Sequence, residues 1–277
     1  MLQSSVVKAI IEGAGERVPV FRRFAERLYE RRFARVTRFA RGFCGVYPDF
    51  AAAAAAAPKG KPVGYDNSGG ATLMEPSGPL WLSDYPVLFW LEKTLAEDPV
   101  ILDIGGYVGI SYYSFRKHLC YPGDLRWVIQ DVQAVVDAGA EIARCQSSRG
   151  LEFRTVLGPG LKAHTVLALG ALQFIEEPFA VQLSRLDSLP RHLIINKTPL
   201  SDKSAYATLQ DLGPAACPYW VFNRSEFIGS LEKLGYQLMD EWRNAEFSCK
   251  IPFHRDHSVP QYSGLYFRLA STTNQLQ

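Results

Sequence analysis

The stretch ILDIGGYVGISYY, running from Ile101 to Tyr113, limits the possible folds more than any other part of the chain. A short apolar run closes on Asp103. Gly105, Gly106 and Gly109 follow at once, and an apolar pattern of helical spacing then resumes. A strand that gives way to a helix through so few residues is a βα unit, and the same alternation continues downstream. Strands are predicted at 100–103, 125–130, 151–157, 165–169 and 192–196, with two last ones at 236–240 and 265–269. Helices are predicted at 111–119, 134–145, 178–186 and 225–234, the last capped by Ser225 and stopped by Gly235. Short apolar strands alternating with helices imply an α/β fold with a doubly wound, mostly parallel, Rossmann-like sheet.

The chain divides on composition. Residues 1–58 read as a basic helical N-terminal extension, 59–99 as a linker rich in Gly, Pro, Ser and Asn leading to a buried helix at 85–95, and 100–277 as the main domain. Arginine is dense from Arg17 to Arg41, and Phe21, Phe24, Leu28, Tyr29, Phe33, Val36 and Phe39 recur there at near-helical spacing. Such a basic amphipathic stretch either packs on the main domain or touches an anionic membrane surface. The alanines from Ala51 to Ala57 favour a helix, which Pro58 ends. Across all 277 residues the net charge is only +2, which gives no reason to expect nucleic acid. The five cysteines are scattered and form no CxxC pair, so neither a disulfide framework nor a zinc knuckle is expected, and no metal is assigned. No apolar run approaches the roughly 20 residues that span a bilayer, and no signal-peptide pattern opens the chain. The expected location is therefore cytoplasmic, with residues 17–41 as a candidate contact at the inner membrane face.

In a doubly wound sheet, ligands bind beyond the carboxyl ends of the strands. Asp103 ends the first strand there, and Asp131 ends the second, in WVIQD. A carboxylate at the second position can accept both hydroxyls of a ribose. The layout is that of an adenosine-type cofactor site. A dinucleotide calls for GxGxxG and a helix N-terminus open to pyrophosphate. Tyr107 breaks that spacing, and Asp103 would repel a phosphate. S-adenosylmethionine carries an ammonium and a sulfonium, so the sign of the charge favours it.

These residues occur together with RWVIQD, VVDAG, ALQFIEEP, LIINKTPL and CPYWVF. In that combination, from about Gly45 to Leu269, the chain resembles a family of class I S-adenosylmethionine-dependent methyltransferases whose members occur among bacterial surface-polysaccharide genes. The resemblance implies S-adenosylmethionine as cofactor, with Asp103, Gly105, Gly106 and Gly109 at its methionine end and Asp131 on its ribose; Tyr107, inside the same turn, is counted with the cofactor-binding residues. It also implies methylation of a sugar or surface-glycan precursor. Tyr107 departs from the glycine usual in such turns, and Asn196 stands where relatives carry Asp.

The acceptor side is less marked. Gln173, in the segment after the fourth strand, is placed to hydrogen-bond the acceptor or the cofactor. Asn196 and Lys197 end the next strand, and Tyr219 and Trp220 offer faces for stacking on a sugar ring. His254 and His257 flank Asp256 closely enough to bind a metal or to serve as a base, and the pair is assigned the base role. His164 and His192 flank strands and read as structural. Two other readings remain open: an NAD-dependent oxidoreductase, which the missing GxGxxG and Tyr-x-x-x-Lys disfavour, and an inactive scaffold docking at a membrane. Oligomeric state is not legible.

Overall fold

The computed structural model describes residues 19–37, 42–66, 76–158 and 160–270. Arg17, Arg38, Phe39 and Arg41 of the basic stretch, and 67–75 of the linker, lie outside the described residues.

The main sheet carries seven strands: β2 (Val100–Ile104), β3 (Arg126–Gln130), β4 (Leu151–Arg154), β5 (Thr165–Leu169), β6 (His192–Thr198), β10 (Tyr236–Asn244) and β11 (Tyr262–Leu269). Their order is β10-β11-β6-β5-β2-β3-β4. Pairs β2–β3, β3–β4, β2–β5 and β5–β6 are parallel, and β11 runs antiparallel to both of its neighbours. The chain starts in the middle at β2, moves out through β3 to β4, then returns to β5 on the other side of β2. That reversal opens a crevice over the carboxyl ends of β2 and β5, as the alternating sequence predicts for a Rossmann-like fold.

Helices α3 (Tyr85–Glu97), α4 (Ile110–Phe115), α5 (Gln133–Cys145), α6 (Phe179–Leu183) and α7 (Arg224–Glu232) connect and cover these strands. Two apolar layers sandwich the sheet. Leu102, Ile104, Val166, Ala168, Leu193 and Ile195 face one, and Ile101, Trp127, Ile129, Leu167 and Ile194 face the other. The central strands, buried on both faces, read as continuous apolar runs, which is why the sequence located them. Two predictions need correction. The cap of α7 is Asn223, whose side chain accepts from the Glu226 amide at 2.8 Å, and not Ser225. The predicted helix 111–119 is only the six residues of α4.

A second, four-stranded sheet was not predicted. It consists of β1 (Gly42–Tyr47), β7 (Leu200–Ser201), β8 (Tyr206–Asp211) and β9 (Ala216–Asn223), in the order β1-β8-β9-β7. One strand thus comes from the 1–58 stretch that reads as helical. The outer face of this sheet is covered by helices α1 (Pro19–Phe33) and α2 (Phe50–Ala55) through Phe33, Ala53, Ala207 and Leu209. Asp49 caps α2 by accepting from Ala52 N at 2.7 Å. Lys61 and Asp211 form an ion pair with both side chains fully buried, and Lys61 Nζ also donates to Phe33 O at 3.3 Å, which pins the end of α1. The inner face, with Phe43, Tyr206, Tyr219 and Val221, looks toward the crevice.

Candidate active site

A cavity of about 1340 Å³ lies between the carboxyl ends of the main sheet and the inner face of the small one. At one end it is lined by the turn after β2 and by Asp131, and at the other by Phe43, Phe174, Tyr219, Phe247 and Tyr262.

The three glycines of the turn each have an internal reason to be glycine. Gly105 has φ +65°, and a Cβ there would lie 2.2 Å from the Ala171 Cβ, because the turns after β2 and β5 touch. A Cβ on Gly106 would lie 2.6 Å from the Asp103 carboxylate. Gly109, at φ +97°, is the left-handed cap of α4. These glycines allow the turn to close on its own neighbours. Tyr107 adopts φ +54° without being glycine.

The turn's amides are largely committed. Gly105 N donates to Gln130 O at 2.8 Å, Gly109 N to Gly106 O at 3.1 Å, and Tyr107 N to Asp131 Oδ2 at 2.9 Å. Asp131 Oδ1 accepts from Val132 N at 2.8 Å. Asp131 is therefore held rigidly at the tip of β3 with each carboxylate oxygen keeping a lone pair for a further donor. Burial raises its pKa against the two amide bonds that lower it.

Asp103 lies beneath the turn, fully buried. Its Oδ2 accepts from Trp127 Nε1 at 3.2 Å, while Oδ1 has no partner. Desolvation pushes its pKa up to about 7, with the nearby Asp131 adding to the rise. Near neutral pH Asp103 is thus only partly charged, and the repulsion of a phosphate rests more on Asp131 than the sequence suggests. Between about pH 4 and 7 the folded chain binds a proton here that the unfolded chain releases, so stability falls as pH rises through that window. Asp103→Asn keeps an acceptor for Trp127 and removes the titration. It is expected to flatten this slope, so that its stability relative to the natural chain rises between about pH 4 and 8, read as unfolding free energy against pH.

Of the residues expected on the acceptor side, the structure brings Gln173, Lys197 and Tyr219 to the cavity. Gln173 Nε2 donates to Gly170 O (2.8 Å) and Lys197 O (3.3 Å), and its buried Oε1 is unpartnered. Lys197 Nζ pairs with Asp84 at 2.7 Å. Tyr219 donates to the Tyr262 hydroxyl at 2.7 Å and meets Phe43 and Phe174 edge-on.

Four expectations are corrected. Asn196 does not line the cavity: it is fully buried, its amide nitrogen donating to Ser83 O and its oxygen accepting from Trp242 Nε1 and Asn244 Nδ2. Trp220 neighbours Tyr219 on one strand, so the two-residue repeat turns it to the opposite face, against Phe50 and Phe222. His254 and His257 do not line the cavity either. The His257 ring packs edge-on against Tyr206, and the backbone just before the pair accepts a hydrogen bond from Arg22 at Phe253 O.

Sequence reasoning missed Tyr65, Phe174, Phe247, Tyr262 and Gln210, all in the lining. Gln210 carries a second buried, unpartnered amide oxygen. Strand alternation in 206–211 was the available signal for Gln210. Nothing local marks Tyr65, which reaches Phe174 edge-on at 5.0 Å from a loop.

No protein-family model matches the chain, and no curated protein matches it. Among solved structures it is similar to the 1,6-didemethyltoxoflavin-N1-methyltransferase of Burkholderia thailandensis, crystallised with S-adenosylhomocysteine. That match has 17% identity, covers 69% of this chain and 79% of that one, and has a TM-score of 0.46. It is also similar to an S-adenosylmethionine-dependent methyltransferase of Clostridium acetobutylicum (9% identity, 66% and 91% covered, TM-score 0.45). A third is magnesium protoporphyrin IX methyltransferase of Synechocystis (15% identity, 67% and 83% covered, TM-score 0.40). These are distant likenesses of chain layout.

Proposed function

We propose that the chain is an S-adenosylmethionine-dependent methyltransferase acting on a hydroxyl of a small molecule, with a sugar or surface-glycan precursor as the acceptor class. The observation that carries this reading is the state of the β2 turn. The amides of Gly105, Tyr107 and Gly109 are already paired, so the turn is a poor pyrophosphate cradle, while Asp131 stands at the β3 tip with acceptor capacity for a ribose diol. The unpartnered Asp103 Oδ1 is a further fit to a cationic donor, whose charge would stabilise the carboxylate.

When bound, S-adenosylmethionine supplies an electrophilic methyl group. The chain's own residues position the two reactants and exclude water. Asp131 holds the ribose, and the turn from Asp103 to Gly109 borders the methionine end. Gln173, fixed by the carbonyls of Gly170 and Lys197, and Gln210 border the acceptor side of the cavity, their amide oxygens buried behind its lining. Phe174 and Phe247 offer apolar surface to a ring, backed by the buried Tyr219.

The test is thermal unfolding with S-adenosylmethionine, S-adenosylhomocysteine and NAD in separate arms. Both adenosyl compounds are expected to stabilise the protein, by about 2.7 kcal/mol at a hundredfold excess over Kd. Stabilisation by NAD alone would overturn the reading.

The same proposal includes peripheral contact with an anionic membrane through α1. Arg23, Arg27 and Arg31 are exposed on it and Arg35 just past its end, with Phe24 68% exposed on the helix and Val36 58% exposed beyond it. Among the described residues, no helix is long and apolar enough to cross a membrane. Binding to anionic vesicles is expected to weaken steeply with salt, and neutral vesicles are expected to bind little in a sedimentation assay.

A further inference from the structure

At the amino ends of the strands, across the sheet from the cavity, three side chains from distant parts of the chain meet. Glu97 ends α3, His164 precedes β5 and His192 opens β6. The Nε2 atoms of His192 and His164 lie 3.0 Å and 3.4 Å from the same oxygen, Glu97 Oε2. The two imidazole rings are 4.9 Å apart, and one ligand atom from each of the three residues falls within 4.8 Å of the others. His192 is 1% exposed, while the Glu97 side chain is 53% exposed, so the cluster is buried on one side and open to water on the other. Methyl transfer uses none of these residues.

We propose that Glu97, His164 and His192 form a three-ligand site for a divalent transition-metal ion of the zinc type, with water in the fourth position. Two imidazole nitrogens and one carboxylate oxygen are a ligand set such an ion takes. Around a tetrahedral ion with bonds of about 2.0–2.1 Å, ligand atoms stand about 3.3 Å apart, and the two spacings to Glu97 already bracket that value. The outer support is also present. His192 Nδ1 lies 2.8 Å from the Tyr266 hydroxyl, and the Tyr266 ring is stacked on Trp90 at 4.0 Å. A partner on the second ring nitrogen fixes the tautomer and the aim of a ligating histidine. The ion would clamp the end of α3 to the starts of β5 and β6.

The competing state is a metal-free hydrogen-bonded cluster of the same residues, and zinc titration separates the two. Chelator-treated, tag-free full-length chain is titrated with zinc alone by calorimetry and by thermal unfolding. One equivalent is expected to bind and to raise the unfolding temperature by about 5 °C at a hundredfold excess over Kd. His164→Ala and Glu97→Ala, both outside the core, are each expected to lower zinc affinity at least tenfold. Tyr266→Phe keeps the stacked ring and is expected to lower it about 10- to 100-fold. The double variant His254→Ala/His257→Ala, which removes the other close histidine pair, is expected to bind zinc as the natural chain does. No zinc binding by the natural chain, unchanged affinity in both His164→Ala and Glu97→Ala, or loss of binding in the His254/His257 double variant would each overturn the proposal.

Discussion

Asp131→Ala is expected to weaken S-adenosylmethionine binding by about 1.5–3 kcal/mol, the range for hydrogen bonds to a charged group, or roughly ten- to a hundredfold in Kd. Two losses combine in that figure. The ribose diol loses its acceptor, and the amide of Tyr107 loses the carboxylate that holds the turn at φ +54°. Asp131→Asn separates them, because one amide oxygen can still receive a backbone N–H while the anionic acceptor is gone. Calorimetry with S-adenosylhomocysteine reads both. Affinity that is unchanged in Asp131→Ala would take this residue out of the site. Gly105→Val is a poor probe: its side chain would be driven into Ala171, so lost binding would be indistinguishable from a displaced turn.

Asn196→Ala is expected to cost about 3–5 kcal/mol of stability and to leave cofactor affinity unchanged. The side chain ties three elements together: the segment before α3 through Ser83, β6 itself, and β10 through Trp242 and Asn244. Truncation strands buried donors on Trp242 and Asn244, each at a cost of about 1–3 kcal/mol, and adds a small void. A fall in unfolding temperature on the order of 10 °C is the expected reading. A variant of normal stability with a raised KM for an acceptor would instead return Asn196 to the substrate site.

The central strands of the main sheet were legible because they are buried on both faces and so appear as apolar runs, such as VIL before Asp103 and LII at 193–195. The small sheet was not. Its strands β8 and β9 bury one face against α1 and α2 and the other against the cavity, so Tyr219 and Trp220 sit side by side in sequence yet on opposite faces. Reading CPYWVF as one aromatic cluster missed the alternation. The cap of α7 was legible in principle, since Asn223 and Glu226 stand at cap and third-residue spacing, but Ser225 drew the assignment. Asp103 and Asp131 were singled out because each stands near a strand end, and strand ends at a chain reversal have a known place; Asp103 is the penultimate residue of β2 and Asp131 directly follows β3. Gln210, Tyr65 and the Glu97–His164–His192 cluster depend on contacts between residues far apart in the chain, 67 and 95 positions for the two histidine–glutamate pairs, which no local spacing encodes. His254 and His257 illustrate the converse: closeness in sequence placed two imidazoles together, but on the flank of the small sheet beside Tyr206.

The central claim is that the crevice over β2 and β3 holds an adenosyl group by its ribose. A crystal structure of the chain with S-adenosylhomocysteine tests this most directly. The account predicts both ribose hydroxyls within hydrogen-bonding distance of Asp131, and the methionine end beside the turn from Gly105 to Gly109. Ligand density away from Asp131, or a crystal with NAD showing its diphosphate seated on that turn, would contradict it.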